Sequence, residues 1–600
     1  MKLVKSLLLG SAAGLCAAAG AQAADLPMRK AAPVEYVRVC TAYGAGFFFI
    51  PGTDTCLRVG GRARFDYQYT SNRAITPNAV GSSGNLVNGD VSGFLGRGRL
   101  NLDARTQTAY GTLRAFVRFE ITAATGGYLN SGTAQRFGTA FPALGQDTFG
   151  RAQTQVNVDK AFIQFAGITA GRAASFFDFY GHELEFITAT SGSDVPSTNL
   201  AAYTFTFGNG FSATIAAEDP LYRRQPVFSN ANYNGAVNTA AAFGIGAGPG
   251  LANLGSTFVS QVPILFTPAT GGTGTNGQAV GVLNLDVVQR ERLPDFVGAL
   301  RYDAPWGAAQ ASAAVHEIFV GKYQAGVFSP SAVAPGTTVS FGNGSPSFTN
   351  PATGQAITAG GQIPGLTAPA FRQPGAEYGY GVQGGLKINL PQLAAGDVLW
   401  LQAAYSEGAL SYSGIPTRLS GSESNSNPYT RFAVSTSDAV VDGAGRLRLT
   451  EAFAFTGAFL HYFTPEVRGA VFGSYGEVNF ARGVRNGLSN GVATTATGAL
   501  ATGNGVAAVN TRAFSPVLKD YTVSTIGGNL IYSPVRDLDI GVEAVYQRID
   551  IQGRVGDGNK SIGAVPTNAA TLADGTAGRP LKSVSFDDVF LARFRVQRDF

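Results

Sequence analysis

Along much of this chain apolar and polar side chains alternate one for one. Successive side chains of an extended strand point to opposite faces, so such runs predict strands with one greasy and one polar side. In the C-terminal stretch FDDVFLARFRVQRDF, Phe590, Ala592, Phe594 and Val596 share one face, and the chain ends on Phe600. Arg593, Arg595, Gln597 and Asp599 share the other. At 57–69, Val59, Gly61, Ala63, Phe65 and Tyr67 oppose Arg58, Arg62, Arg64, Asp66 and Gln68. At 93–106, Leu100, Leu102 and Ala104 oppose Arg97, Arg99, Asn101, Asp103 and Arg105. At 110–123, Leu113, Ala115, Val117 and Phe119 oppose Arg114, Arg118 and Glu120.

The same pattern, bounded by turn signals, recurs at 156–166, 168–172, 201–208, 210–218, 295–303, 307–318, 377–390 and 396–408. It continues at 446–461, 466–480, 521–532, 537–550 and 584–600. That predicts an all-β chain of about sixteen strands. The connections alternate in length. Gly208-Asn209-Gly210, Asp303 to Gly307, Thr464-Pro465-Glu466 and Ser533 to Asp537 are tight turns. The segments 219–294, 319–376, 481–520 and 551–583 are long and rich in Gly, Ser, Thr and Asn. Short turns at one end and long loops at the other are the habit of a transmembrane antiparallel β-barrel, and an even strand count leaves both termini at the short-turn end.

The start of the chain supports that reading. Lys2 and Lys5, an apolar run from Leu7 to Ala19, and Ala21-Gln22-Ala23 form an export signal over 1–23, with cleavage expected between Ala23 and Ala24. Beyond it no apolar stretch is long enough for a spanning helix. The net charge of +5 is modest and the arginines alternate within strands, which speaks against a nucleic-acid partner in an exported chain. Facing lipid at the bilayer midplane, each arginine would cost about 2–4 kcal/mol. In a barrel, Arg62, Arg64, Arg97, Arg99, Arg114, Arg118, Arg593 and Arg595 are therefore expected on one side of the lumen. The first and last strands become neighbours on closure. Tyr67, Tyr69, Phe463, Tyr532, Tyr546 and Phe600 are expected to form aromatic girdles.

Cys40 and Cys56 are the cysteines left after cleavage. In an oxidising periplasm they either close a short disulfide or remain two thiols, and the compartment favours the disulfide. His182, His316 and His461 are scattered, so no metal site is expected. Gly379-Tyr380-Gly381-Val382-Gln383-Gly384 spells a dinucleotide-type glycine motif, but a dyad strand follows it rather than a helix, so no cofactor is expected. Nothing pairs a nucleophile with a base, and an enzyme is not expected.

The stretch from Val39 to Gly61, with YGAGFFFIPGTDTCLRVGG, resembles the N-terminal signature of the alphaproteobacterial general porin family. Asp25-Leu26-Pro27 after the cleavage site and the terminal Phe600 are similar to the same family. The resemblance implies an outer-membrane channel for passive diffusion of small hydrophilic solutes and ions. It also implies a homotrimer among lipid and lipopolysaccharide, and a third loop folded into the pore. That loop is the segment 173–200, after 70–92 and 124–155. Its acids Asp178, Glu183, Glu185 and Asp194 are expected to face the arginine wall, and His182 to line the pore. Residues 24–56 are read as an N-terminal periplasmic segment and 57–600 as the barrel. Two other readings stay open: a substrate-specific channel, which would need an aromatic track down the bore, and a structural or adhesive barrel acting through its long loops.

Overall fold

The computed structural model describes residues 38–71, 92–124, 153–225, 227–229, 259–265, 279–286, 289–321, 323–324 and 338–342. It further describes 345–349, 356–358, 375–415, 437–441, 446–482, 519–556 and 583–600. Residues 1–23, expected as the export segment, residues 24–37 and parts of the long connections lie outside the described residues.

The barrel strands, in chain order, are β1 (Cys56–Thr70), β2 (Ser92–Thr108), β3 (Gly111–Ala124), β4 (Gln153–Phe165), β5 (Ile168–Ala173), β6 (Thr198–Gly208), β7 (Phe211–Glu218) and β8 (Asp295–Ala304). They continue with β9 (Gly307–Ile318), β10 (Glu377–Asn389), β11 (Val398–Glu407), β12 (Glu451–Tyr462), β13 (Val467–Asn479), β14 (Tyr521–Val535), β15 (Leu538–Gly556) and β16 (Ser583–Asp599). Each pairs antiparallel with its neighbours in sequence, and β16 returns to β1 in a register running from Arg62 opposite Asp599 to Thr70 opposite Leu591. The ring is thus a closed antiparallel barrel of the expected strand number. The strand expected at 446–461 is interrupted: Leu447–Leu449 pairs instead with Ala439–Val441, and the Thr450 amide donates to the Asp438 carbonyl.

Turn chemistry explains the short end. The β4–β5 and β6–β7 hairpins turn through Ala166-Gly167 and Asn209-Gly210, and all four residues have positive φ. Two consecutive left-handed residues are what a two-residue hairpin matched to strand twist requires, and Asn-Gly meets that need without strain.

Burial along the strands is the inverse of a soluble sheet. In β1, Phe65, Tyr67 and Tyr69 are exposed while Arg64, Asp66, Gln68 and Thr70 are buried. The same inversion places Phe94 and Leu100 of β2, Ile121 of β3, Phe205 of β6, Ile526 of β14 and Phe594 of β16 outside. Tyr67, Tyr69, Phe463, Tyr532, Tyr546 and Phe600, the aromatics expected at the girdles, are all exposed. Apolar side chains turned outward and polar ones inward are stable where the outer solvent is hydrocarbon.

The interior is not polar throughout. On β15 the inward row is Glu543, Val545, Gln547, Ile549 and Ile551, and on β16 Val589 and Leu591 continue the row of Arg593. These apolar groups form one buried cluster with Tyr521 and Val523 of β14, Val478 of β13 and Phe480 just beyond it. Here both faces of a strand are apolar, so alternation alone says nothing about which face is inside.

Candidate functional site

The lumen is lined differently on its two sides, and the first side is the inner face of β1–β4. Cross-strand register sets Arg62 opposite Arg99 and Arg64 opposite Arg97. It also sets Arg105 opposite Arg114, and Arg118 opposite Lys160. Directly opposed side chains on one face are close neighbours, so these are like-charge rungs. Carboxylates are threaded among them. Arg62 pairs with Asp599 at 2.5 Å, Arg99 donates to Glu120 at 2.6 Å, and Arg118 reaches Asp159 at 3.3 Å. Asp103 receives both Arg105 (2.8 Å) and Arg114 (2.9 Å). Asp66 receives both Arg64 (2.6 Å) and Arg595 (2.8 Å). Arg97 donates to Thr122 at 3.2 Å.

The other side is occupied by chain. The connection between β5 and β6, residues 174–197, runs along the inner wall of β9–β16 and is held there by hydrogen bonds from successive strands. Gln310 of β9 donates to the Asp178 carbonyl at 3.2 Å, and Gln383 of β10 to the Phe177 carbonyl at 2.9 Å. Gln402 of β11 accepts from the Tyr180 amide at 2.9 Å. Thr456 of β12 donates to the Ser191 carbonyl, and Ser474 of β13 accepts from the Ser191 amide at 2.8 Å. Asn529 of β14 donates to the Leu184 carbonyl, and Gln547 of β15 to the Ala189 carbonyl, each at 2.6 Å. Glu543 takes the amides of Phe186 and Ile187, each at 2.6 Å, and Arg593 and Arg595 of β16 both donate to the Phe186 carbonyl.

A buried backbone needs such partners, because an unmet amide or carbonyl costs about 1–3 kcal/mol. Packing completes the fixation. Phe179 meets Trp400 edge-on at 5.1 Å, over Gly385, where a Cβ would lie 2.1 Å from the Phe179 ring. The Phe186 ring sits over Gly541 in the same way, 2.7 Å from where a Cβ would be.

The four loop acids have distinct places. Asp178 pairs with Arg223 at 3.0 Å and also accepts from Ser193 and the Val195 amide. Glu185 is buried and staples the loop to itself, accepting from Tyr180, Thr190 and the Ala189 amide. Asp194 pairs with His182 at 3.2 Å, and His182 holds the Thr190 carbonyl with its other ring nitrogen. His182, expected at the pore surface, is therefore buried within the loop. Its burial pushes the imidazole pKa down, but the Glu185 and Asp194 carboxylates outweigh that and lift it to about 9. Only Glu183 of the four acids is exposed.

Two further connections join the loop. Arg223 follows β7, is buried, and donates to Ser175 and Ser193 (each 2.7 Å) as well as Asp178. Its guanidinium lies 4.0 Å from the ring centre of Tyr412, which belongs to the connection after β11, and 5.4 Å from that of Phe177. Tyr412 in turn donates to Asp295 at 2.6 Å. Gly414 lies against Gly192 so closely that a Cβ on Gly414 would meet Gly192 backbone at 2.0 Å. Three connections thus meet at Arg223.

A family model described as a porin subfamily matches residues 25–575. The chain belongs to that porin family. Among curated relatives, porin Omp2b of Brucella canis is 37% identical over 222 residues, 36% of this chain and 54% of that protein. Omp2b of Brucella melitensis is 38% identical over 220 residues, with the same shares covered. The chain spans about half the length of the curated relatives it matches. Among solved structures, the outer-membrane channel DcaP of Acinetobacter baumannii gives a TM-score of 0.42 at 13% identity, over 92% of this chain and 99% of that one. OmpT of Vibrio cholerae gives 0.36 at 8%, with the same shares covered. Family membership and the barrel fold imply a place in the bacterial outer membrane.

In this porin chain the arginines singled out from the sequence divide into two sets. Arg62, Arg64, Arg97, Arg99, Arg114 and Arg118 sit together on β1–β3. Arg593 and Arg595 share the inward face and are buried where they donate to the loop, and Arg64, which shares Asp66 with Arg595, is buried beside them. Sequence reasoning missed Glu543, Arg223 and the inward glutamines. Glu543 had a visible signal, a lone acid opposite the apolar row Val542, Ala544 and Tyr546. Arg223 had none, since it lies in a connection without periodicity.

Cys40 and Cys56 are joined as a disulfide with Cα atoms 5.9 Å apart, buried with Phe47. The hairpin they close rests on the short-turn end of the basic wall. There the Arg105 guanidinium lies 5.0 Å from the ring centre of Phe47, and Tyr43 reaches Gln107.

Proposed function

We propose that the protein is an outer-membrane diffusion porin, exported through its segment 1–23, whose water-filled bore runs between the pinned loop and the inner face of β1–β4. Small hydrophilic solutes and ions cross it passively. The supporting observation is the division of the lumen. A loop fixed by strands β9–β16 covers one side, and charged groups that still reach solvent line the other. An interior meant only for stability gains nothing from such rungs, because like charges directly opposed weaken a sheet. The segment 173–200 acts as the constriction, with Glu183 and Asp194 at its open edge and Arg62, Arg99, Arg114 and Arg118 across from it.

The functional unit is a homotrimer in lipid and lipopolysaccharide, as the family resemblance suggests. The experiment is single-channel recording of the full chain in a planar bilayer. Near-ohmic steps, grouped in threes, are expected. A folded, heat-modifiable protein that inserts and never conducts would refute the reading.

A further inference from the structure

We propose that the bore selects for anions, and that the cross-strand cationic rungs of β1–β4 form the path along which small inorganic anions and carboxylates move. The inference rests on the channel reading above and adds the sign of its selectivity. Counting charges in the lumen cannot give that sign, because arginines and acids are both present. What decides it is which of them a permeating ion meets.

On β2–β4 the cations stand in front of the acids. The side chains of Arg62, Arg99, Arg105, Arg114 and Arg118 keep 18–28% of their surface accessible. Their carboxylate partners Asp103, Glu120 and Asp159 keep 11–12%, while Asp599, the partner of Arg62 at the end of β16, keeps 45%. Asp66 keeps none. The acids are also shared: Asp103 serves two arginines, and so does Asp66. One negative charge under two positive ones leaves the rung net positive.

On the loop, the acids face away or are matched. Asp178 is spent on the buried Arg223, Glu185 on the loop's own amides and hydroxyls, and Asp194 on His182. Glu183 is the exception, an exposed carboxylate on the loop.

The arrangement costs stability. Directly opposed like charges are unfavourable, and here they recur on neighbouring strand pairs, at Arg62–Arg99 and Arg64–Arg97, at Arg105–Arg114, and at Arg118–Lys160. Glutamine or serine at the same inward positions would satisfy the fold without repulsion. A row of fixed cations on low-dielectric walls raises the local concentration of anions and repels cations. Guanidinium planes, with several donors each, can also hand a carboxylate or oxyanion from one rung to the next.

The test uses the refolded full chain in a planar bilayer under a tenfold gradient of potassium chloride. The expected reversal potential has the sign of chloride permeation, with chloride favoured over potassium roughly twofold or more. Raising both salt concentrations together should shrink the preference, because the Debye length falls to about 3 Å at 1 M. The double variant Arg62→Gln, Arg99→Gln should bring the permeability ratio towards one while the channel still opens. Arg62→Lys with Arg99→Lys should keep it, and Glu183→Gln should raise it slightly.

Conducting channels that reverse at zero or on the potassium side would overturn the proposal and leave the channel reading intact. A protein that inserts and never opens would remove both. If the glutamine variant does not fold, the wild-type reversal potential and the lysine variant still decide the matter.

Discussion

The two halves of the lumen use one strand pattern for opposite ends. On β1–β4 the inward side chains are charged, and their partners lie on the same or adjacent strands, such as Arg64 with Asp66 and Arg114 with Asp103. On β9–β15 the inward groups that matter are largely neutral amides and hydroxyls, and their partner is the backbone of another segment. The difference follows from solvent. Charges stay hydrated where water fills the bore, whereas a buried loop backbone needs donors and acceptors that carry little desolvation cost of their own. Glu543 is the exception on the packed side, where its carboxylate takes two loop amides and the Asn529 side chain.

The packed half should therefore fail steeply when a single contact is removed, and the charged half should hardly notice. Arg223→Met takes the cation from the buried Asp178 carboxylate and from three connections at once. Breaking such a buried pair costs roughly 3–5 kcal/mol. Single-channel recording should show strong current noise and a larger mean conductance, and protease cleavage within 174–197 should become detectable. Glu543→Ala leaves the Phe186 and Ile187 amides without acceptors, for roughly 2–4 kcal/mol. The same noise should appear, smaller, while Glu543→Gln should restore part of the quiet baseline.

A third test is pH. His182 in the folded loop has a pKa raised to about 9, above its ordinary value near 6.5. The protonated ring thus stabilises the loop fully below about pH 6.5, and that contribution is lost as pH rises through 9. Conductance noise should stay flat below about pH 6.5 and grow as pH rises from there to about 9. In His182→Gln the rise should vanish. The smallest effect on stability belongs to the wall. Arg99→Gln removes a partly exposed pair with Glu120, worth about 1 kcal/mol or less, so the thermal midpoint should barely move while the reversal potential does. Equal losses from Arg99→Gln and Arg223→Met would erase the distinction between the halves.

The barrel was legible because its rule is local. A period of two with Arg on one face and Phe or Tyr on the other, as at Arg62 to Tyr69 and Phe590 to Arg595, reports which medium each face meets. Where loop or core fills the lumen the rule goes silent, as on β15 with Val545 and Ile549 inside and Val542 and Tyr546 outside. The loop's course was hidden for another reason. Its anchors are single side chains hundreds of residues away, as Gln402 is from Tyr180 and Glu543 from Phe186, and no spacing links them. The glycines that admit its rings, Gly385 and Gly541, look in the sequence like any other strand glycine. The loop acids illustrate the same limit: strand spacing put Glu185 in the connection 173–200, but only its hydrogen bonds turn it inward.

The divided lumen is tested most directly by thiol access. Cys40 and Cys56 are joined, so in a chain lacking residues 1–23, which hold Cys16, a single introduced cysteine is the reactive thiol of the folded barrel. Arg62→Cys, Arg118→Cys, Gln383→Cys and Gln547→Cys would each be exposed to a charged, membrane-impermeant methanethiosulfonate during single-channel recording. Rapid modification with a stepwise fall in current at 62 and 118, and no modification at 383 and 547, is the predicted result. Equal and rapid modification on both sides would mean that the loop does not lie against β9–β16, and the bore would then have to be placed elsewhere.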